Sequence, residues 1–189
     1  MLTKTNGRRS IRVLVSALLV TLLLAALAAC GAGSTAVDPE TRVKNFFKDF
    51  ESAINDPNIA QEATQEKWAE TLSSYAVPAQ RAEVKGEMKE ALAGVGDIGT
   101  QIGALTGQEN LKITFKIENL QTKKQSEESN IAKVEITSGQ LRMETEGADL
   151  PPELQAVFGE PIPLSEVTEG SNVVTLEKVD GNWYIRNEQ

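Results

Sequence analysis

The sequence predicts an α+β fold, with helices in its first half and an antiparallel sheet in its second. Between residues 38 and 105 the apolar residues recur at intervals of three and four, which is the period of an amphipathic helix. From about residue 111 they alternate with polar residues, as in a strand that buries one face. Asp180-Gly181 adds a hairpin signal near the end. We therefore expect N-terminal helices packed on one face of a curved antiparallel sheet of about four strands.

The first helix is predicted to begin at Asp38-Pro39, because aspartate is a favoured N-cap and proline is tolerated at the first helical position. Asn55-Asp56-Pro57 should end it, since the residue before a proline disfavours the helical conformation. Between these points an apolar stripe at helical spacing predicts the buried face. Its members are Val43, Phe46, Phe47, Phe50 and Ile54.

Two more helices are predicted before residue 107. The second runs from about residue 58 to 76, and its residues available for burial are Ile59, Ala63, Trp68, Leu72 and Tyr75. The third begins at Pro78, and its apolar face carries Val84, Met88, Ala91, Val95, Ile98, Ile102 and Leu105. Glycines at positions 96, 99, 103 and 107 either let another backbone approach closely or weaken the helix. We expect the second effect, which leaves a mobile loop over residues 94–107.

Strands are predicted after residue 108 from the alternation of apolar and polar residues. The inward positions of the first strand are Leu111, Ile113, Phe115 and Ile117. Residues 121–130 are polar and charged, and we expect them to form a hairpin loop. The inward positions of the second strand are Ala132, Val134, Ile136, Leu141 and Met143. The last two are out of phase with the others, which indicates a bulge at Ser138-Gly139.

Residues 146–170 are predicted to form a long connection with one helical turn near residues 153–158, because prolines and glycines separate short apolar groups there. Two strands, over residues 173–179 and 183–186, then flank the Asp180-Gly181 turn. Trp183 and Ile185 should face the core. Lys178 and Tyr184 should point outward, where they are suited to surface contact.

Two segments of the chain carry a resemblance to a known family. The first is the opening helix Val43-x-x-Phe46-Phe47-x-x-Phe50 with its Asn55-Asp56 ending, and the second is the closing Leu176-Glu177-Lys178-Val179-Asp180-Gly181-Asn182-Trp183-Tyr184-Ile185. Both resemble the nuclear transport factor two-like (ketosteroid isomerase-like, cystatin-like) domains. The resemblance implies a cone-like domain whose cavity serves isomerase or dehydratase chemistry, ligand binding, or no catalysis. Family members usually place a strand between the second and third helices, whereas none is predicted here.

Enzymatic members of that family need an acid or base inside the cone, whereas the inward positions named above are all apolar. Asp97 projects opposite the apolar stripe of its helix, and Glu127 and Glu128 lie in the polar loop. Such solvated carboxylates lack the environment that tunes a catalytic pKa. The chain has no histidine and no carboxylate spacing typical of a metal site. We therefore expect a protein that is not an enzyme, without catalytic, cofactor-binding or metal-binding residues.

The first thirty residues have the layout of an export leader. A charged head with four basic residues precedes an apolar run over residues 13–29, which closes with Leu27-Ala28-Ala29-Cys30. This ending resembles the lipobox of bacterial lipoproteins, in which the cysteine receives fatty acyl chains such as palmitate and becomes the first mature residue. Two other interpretations stay open: an uncleaved transmembrane helix with the domain still outside, and a secretory signal cut after Ala29.

This interpretation divides the chain into a signal peptide at 1–29, a lipidated cysteine and flexible tether at 30–37, and one α+β domain at 38–189. All 27 acidic residues follow Cys30 but only 15 of the 19 basic residues do, so the part after the leader has a net charge of −12. Such a charge disfavours nucleic acid and anionic lipid as partners. The predicted location is the extracytoplasmic side of the cell membrane or outer membrane, held by lipid on Cys30.

We expect this domain to bind a small apolar ligand or an envelope protein partner. The residues that would line its pocket or core are Phe47, Phe50, Trp68, Leu111, Ile113, Phe115, Val134, Met143 and Trp183. One alternative is a structural or protein-interaction subunit of an envelope complex, which predicts an exposed apolar patch in residues 150–164. Another is an isomerase- or dehydratase-like enzyme, which predicts a buried carboxylate. A further alternative is an aromatic ligand platform, although spacing favours a core role for its members, Trp68, Tyr75, Trp183 and Tyr184.

Overall fold

The computed structural model describes residues 37–106, 112–146, 158, 160–167 and 172–187. The helices in these ranges are α1 (Pro39–Ile54), α2 (Glu62–Ser73), α3 (Arg81–Thr106) and the single-turn α4 (Leu164–Val167). The strands are β1 (Lys112–Glu128), β2 (Ile131–Glu146), β3 (Ile162–Pro163), β4 (Val173–Val179) and β5 (Asn182–Ile185). The predicted α+β class is confirmed, since three long helices accompany a curled antiparallel sheet and α1 packs against its strands.

Helix α1 begins and ends where the sequence predicts. Asp38 is its N-cap: Oδ2 accepts a hydrogen bond from the Thr41 hydroxyl at 2.6 Å, and Oδ1 accepts one from the Thr41 backbone N–H at 3.0 Å. These two bonds hold the pKa of Asp38 below its usual value. Asn55 is the C-cap. The predicted stripe does face the interior: Val43, Phe47 and Ile54 are buried, and Phe46 and Phe50 are half-buried.

Helix α2 is shorter than predicted. Residues 57–60 form a turn after Pro57, and the chain leaves the helix after Ser73 to make a β-bridge at Ala76. The prediction that Ala63 is available for burial is wrong, because it is exposed. The buried Leu72 lies nine positions after Ala63, and at about 100° per residue this places the two on opposite faces.

Helix α3 follows a 3₁₀ turn at Pro78–Gln80 and continues to Thr106, so the prediction of a loop over residues 94–107 is wrong as far as residue 106. Gly96 shows the reason. A Cβ added there would lie 3.0 Å from the Cα of Ala60 and 3.3 Å from the backbone oxygen of Ile59. The glycine therefore lets α3 pass close to the loop between α1 and α2, and this packing offsets its low helix propensity.

The buried face of α3 differs from the prediction at one position. Ala91 is exposed, and the adjacent Leu92 is only 1% exposed. Leu92 lies four residues after Met88 and three before Val95, so it is centred on the face that these half-buried residues share. The side chains of Ile98, Ile102 and Leu105 lie outside the described part of the chain.

The described strands pair antiparallel in the order β1-β2-β4-β5, and β3 pairs with β2 at Gln140 and Leu141. Strands β1 and β2 form one long hairpin that turns at Ser129-Asn130. The prediction of a loop over residues 121–130 is therefore wrong, since β1 continues through Glu128. The strand is polar on both faces in this part, so no alternation in the sequence revealed it, and backbone hydrogen bonding to β2 supports it.

The predicted bulge at Ser138-Gly139 is confirmed. Gly139 of β2 stands opposite two residues of β1, Asn119 and Leu120. Its φ is +151°, and a Cβ at this position would lie 2.6 Å from Cδ1 of Leu164. Only glycine fits this combination of backbone angle and close contact. The extra residue opposite Gly139 lies on β1. A second register shift, between the pairs Gln121–Ser138 and Thr122–Ile136, leaves Thr137 as an extra residue of β2, and the apolar residues of β2 on both sides of it face the interior.

The predicted closing hairpin is confirmed as β4 and β5 around Asp180 and Gly181, whose φ angles are +50° and +82°. Trp183 is buried and Ile185 is half-buried against the core. The outer side of Ile185 is covered, because its N–H donates to the backbone oxygen of Tyr75 at 2.8 Å and its C=O accepts from Val77 N–H at 3.1 Å. This segment therefore continues the sheet beyond β5.

Most of the predicted connection over residues 146–170, including the helical turn near 153–158, lies outside the described residues. Its described parts are Phe158, Glu160 and Pro161, strand β3 and helix α4. Phe158 is 7% exposed and Leu164 is 2% exposed. These two residues are buried, so neither belongs to the exposed apolar patch that the alternative of a structural or protein-interaction subunit predicts in residues 150–164.

Candidate functional site

Two apolar clusters lie between the helices and the sheet, and they divide the residues predicted to line a pocket. The first cluster comprises Val43, Phe47, Ala132, Val134, Ile136, Leu164, Leu176 and Trp183. The second cluster comprises Ala53, Ile54, Leu72, Leu92 and Phe115, and its half-buried border comprises Phe50, Ile59, Trp68, Met88, Val95, Ile113 and Met143. Phe46 and Leu141 contact both clusters. Leu111 lies outside the described residues.

The predicted lining residues that belong to the first cluster are core residues. Of the predicted lining residues, Phe47, Val134 and Trp183 lie here, with exposures of 6%, 0% and 4%. Side chains packed to this extent contribute to stability through burial of apolar surface rather than through contact with a ligand.

The second cluster brings the other predicted lining residues together, and here apolar side chains reach the surface. Phe50, Trp68, Ile113 and Met143 are half-buried around the buried Phe115. They come from α1, α2, β1 and β2, so both layers of the fold contribute. Phe50 also stacks on Phe46, with ring centroids 6.2 Å apart and an interplanar angle of 16°. An apolar surface lined from several elements and only partly covered is the type of surface that small apolar molecules occupy.

The indole of Trp68 is held in place at the border of the second cluster. Its Nε1–H donates to Oδ2 of Asp56 at 2.8 Å, and Oδ1 of the same carboxylate accepts from the backbone N–H of Asn58 at 2.9 Å. Both bonds lower the pKa of Asp56, and the bond from Trp68 has the larger effect. The carboxylate therefore stays ionised at neutral pH, and its negative charge strengthens the bond that fixes the ring.

Asn55 joins the end of α1 to the outer edge of β1 beside this cluster. Its Oδ1 accepts from Phe115 N–H at 2.8 Å and its Nδ2 donates to the Phe115 carbonyl at 2.7 Å. The side-chain amide thus pairs with the strand as another strand would. Further along the same edge, the Glu40 carboxylate accepts from Lys124 N–H at 2.9 Å. Side chains of α1 therefore satisfy backbone groups that an edge strand otherwise leaves unpaired.

A polar group that the sequence did not predict surrounds Tyr75. The Tyr75 hydroxyl donates to Oδ2 of Asp49 at 2.5 Å, and Cζ of Arg42 lies 4.1 Å from the centroid of its ring. Burial, and then the bond to Asp49, raise the pKa of Tyr75 to about 12. The phenol therefore stays protonated near neutral pH and serves as a hydrogen-bond donor.

The spacing of residues along α1 agrees with the position of this polar group. Arg42, Phe46 and Asp49 follow one another at intervals of four and three along α1, so they share one face of the helix. The predicted apolar stripe includes Phe46 but not the polar Arg42 and Asp49, so these two were not predicted as part of a site. Tyr184, predicted to point outward, is instead half-buried beneath arginine side chains, with Cζ of Arg42 5.4 Å from its ring centroid. Lys178 is exposed as predicted.

The carboxylates predicted to lie on the surface do so: Asp97, Glu127 and Glu128 are exposed. Among the described residues, no group of three histidine, cysteine, aspartate or glutamate side chains is arranged to hold a metal ion. None of the described helices combines the length and apolar character needed to cross a membrane. Cys30, the predicted site of lipid attachment, lies outside the described residues.

Comparisons of the chain with protein-family models, with curated proteins and with solved structures found no match.

Proposed function

We propose that the chain is an extracytoplasmic lipoprotein, anchored through Cys30, whose α+β domain binds a small apolar ligand without catalysing a reaction. The observation that carries the binding role is the second cluster, where half-buried Phe50, Trp68, Ile113 and Met143 surround Phe115. Apolar walls with a few fixed polar groups are typical of small-molecule sites. Asp56 and Asn55 are such groups, and each is held by hydrogen bonds.

The anchoring role is supported by the leader that ends in Leu27-Ala28-Ala29-Cys30. Each methylene of an acyl chain that enters the bilayer contributes about 0.8 kcal/mol, so two or more chains on one cysteine make a lasting attachment. The net charge of −12 after Cys30 opposes electrostatic adsorption to anionic lipid, and a covalent anchor supplies the attachment that charge cannot.

The binding role is tested by titrating the purified full-length chain in neutral detergent with Nile red, an apolar dye that fluoresces when it leaves water. The fluorescence of the dye in the same detergent without protein is subtracted, because micelles also take up the dye. Met143→Gln keeps the side-chain volume but places an amide at the border of the second cluster. We expect this change to weaken dye binding by about fivefold, roughly 1 kcal/mol of lost apolar contact.

The matched control is Val174→Thr, which makes a similar polar change at a half-buried residue that packs on the first cluster. It should leave the affinity for Nile red unchanged. Equal loss in both variants, or no saturable binding by the wild-type chain, would refute the assignment of the second cluster as the binding site.

The anchoring role is tested by growing cells that express the chain with an alkyne analogue of palmitate and by detecting the label on the isolated protein. The wild-type chain and Ser34→Ala should carry the label, and Cys30→Ala should not, because it lacks the only thiol in the chain. A wild-type chain that stays unlabelled would favour the uncleaved helix or the secretory signal cut after Ala29.

A further inference from the structure

Two arginines approach the same tyrosine ring on the side of the domain where α1, α3 and β5 meet. Cζ of Arg42 lies 5.4 Å from the ring centroid of Tyr184, and Cζ of Arg81 lies 5.2 Å from it. Arg42 also lies over the ring of Tyr75 at 4.1 Å. All four side chains come from different elements or connections, so the fold itself brings both guanidinium groups to the ring of Tyr184.

Each arginine of this pair makes one hydrogen bond to the described part of the chain. Arg42 donates from Nη2 to the backbone oxygen of Ser74 at 2.8 Å, and Arg81 donates from Nε to that of Ala76 at 3.4 Å. Nε of Arg42 is buried and has no hydrogen-bond partner in the described part of the chain. A guanidinium has five N–H donors, so each arginine keeps several for another acceptor.

The arginine pair also differs from other arginines in its charge environment. Arg142 and Arg186 each lie 3.5 Å from a glutamate oxygen. Arg42 and Arg81 form no such ion pair with any described residue, although the chain has an excess of carboxylates. The charge of the Asp49 carboxylate acts on Arg42, and the Tyr75 hydroxyl already occupies one oxygen of that carboxylate. The charge of Arg81 disfavours that of Arg42, and an anion bound near both would offset this repulsion.

We propose that Arg42 and Arg81 form a binding site for the oxyanion of a small molecule, a phosphate or a carboxylate, with the ring of Tyr184 beside it. Guanidinium groups bind such anions with two parallel charge-assisted hydrogen bonds. This site uses none of the half-buried residues that border the second cluster, so the inference does not rest on the proposed binding of an apolar ligand.

The experiment is isothermal titration of the full-length chain in neutral detergent with inorganic phosphate and, separately, with acetate. Chloride keeps the ionic strength equal in both series, because exposed charges are screened by salt. We expect the wild-type chain to bind at least one of the two anions. Arg42→Gln and Arg81→Gln should each weaken that binding by about tenfold or more, since each removes charge-assisted hydrogen bonds.

The matched control is Arg186→Gln. Arg186 lies just after β5 and is paired with Glu177, so this variant should bind the anion as the wild type does. Binding of phosphate alone or of acetate alone supports the site and identifies the anion. Failure of both to bind the wild-type chain, or equal loss in Arg186→Gln, would overturn the proposal. If Arg42→Gln does not fold, as judged by circular dichroism, the half-exposed Arg81 still provides the test.

Discussion

At the scale of single residues, Tyr75 contacts several parts of the domain, and its position in the sequence does not indicate these contacts. Its hydroxyl bonds to Asp49 on α1, and its backbone oxygen accepts from Ile185 on β5. Its ring lies 5.6 Å from that of Phe46 in an edge-to-face arrangement, with Arg42 on its face. A single buried residue therefore links the first helix, through its side chain, to the last strand, through its backbone.

Removal of the Tyr75 hydroxyl should destabilise the domain. Tyr75→Phe keeps the ring but leaves Asp49 without its donor, and a hydrogen bond to a charged group is worth about 1.5–3 kcal/mol. We expect the free energy of unfolding in urea to fall by about 2 kcal/mol. Tyr184→Phe is the control, because the Tyr184 hydroxyl makes no hydrogen bond with the described residues, and it should change stability little. Equal loss in the two variants would contradict the role given to the Asp49 bond.

The same hydroxyl should make stability depend on alkaline pH. The pKa of Tyr75 is raised from 10.0 to about 12 in the folded chain, so the folded state holds the proton more tightly than the unfolded state. Its contribution is complete below pH 10 and is lost as the pH rises towards 12. Lysines also titrate in this range, so the measurement is the difference in unfolding free energy between wild type and Tyr75→Phe. This difference should shrink between pH 10 and 12, and a constant difference would contradict the assignment.

At the scale of elements, the attachment of α1 to the sheet depends on polar bonds as well as on its apolar stripe. The stripe buries Val43, Phe47 and Ile54, which fixes the face of the helix that meets the sheet. Asn55 then sets its position along β1, because two hydrogen bonds to one strand residue allow a single register. Apolar contact is not directional, whereas this amide pairing is.

Asn55→Ala should loosen β1 locally. The change leaves N–H and C=O of Phe115 without partners, and each unsatisfied buried group costs about 1–3 kcal/mol. The amide of Phe115 should then exchange with deuterium faster than in the wild type. Asn45→Ala, at an exposed position of the same helix, should leave this exchange rate unchanged. An unchanged rate in Asn55→Ala would show that the side chain does not hold the edge.

Two glycines of α3 should respond to alanine in opposite directions. At Gly94 no described atom lies within 4 Å of an added Cβ, so Gly94→Ala should stabilise the helix by about 0.5–1 kcal/mol. At Gly96 the Cβ would lie 3.0 Å from a backbone atom of Ala60, so Gly96→Ala should lower the melting temperature. Thermal unfolding of the two variants provides the comparison. Stabilisation of both would show that α3 does not depend on close approach to this loop.

At the scale of the whole domain, the sequence predicted the elements that carry a periodic apolar pattern. Helix α1, the Gly139 bulge and the β4–β5 hairpin follow from local residues, because caps, glycine angles and alternation are local signals. The second half of α3 and the polar end of β1 were not predicted, since both depend on contacts with residues distant in sequence. An example is the contact of Gly96 with Ala60. The division of the predicted lining residues between two clusters likewise depends on how the sheet curls.

The proposed role gives the domain one task, which is to hold an apolar molecule close to a membrane. The measurement that tests it most directly is native mass spectrometry of the chain released from membranes in neutral detergent, compared with its denatured mass. We expect the native mass to exceed the denatured mass by that of a small apolar molecule. We also expect the denatured chain to begin at a lipidated Cys30. Identical native and denatured masses would contradict the binding role.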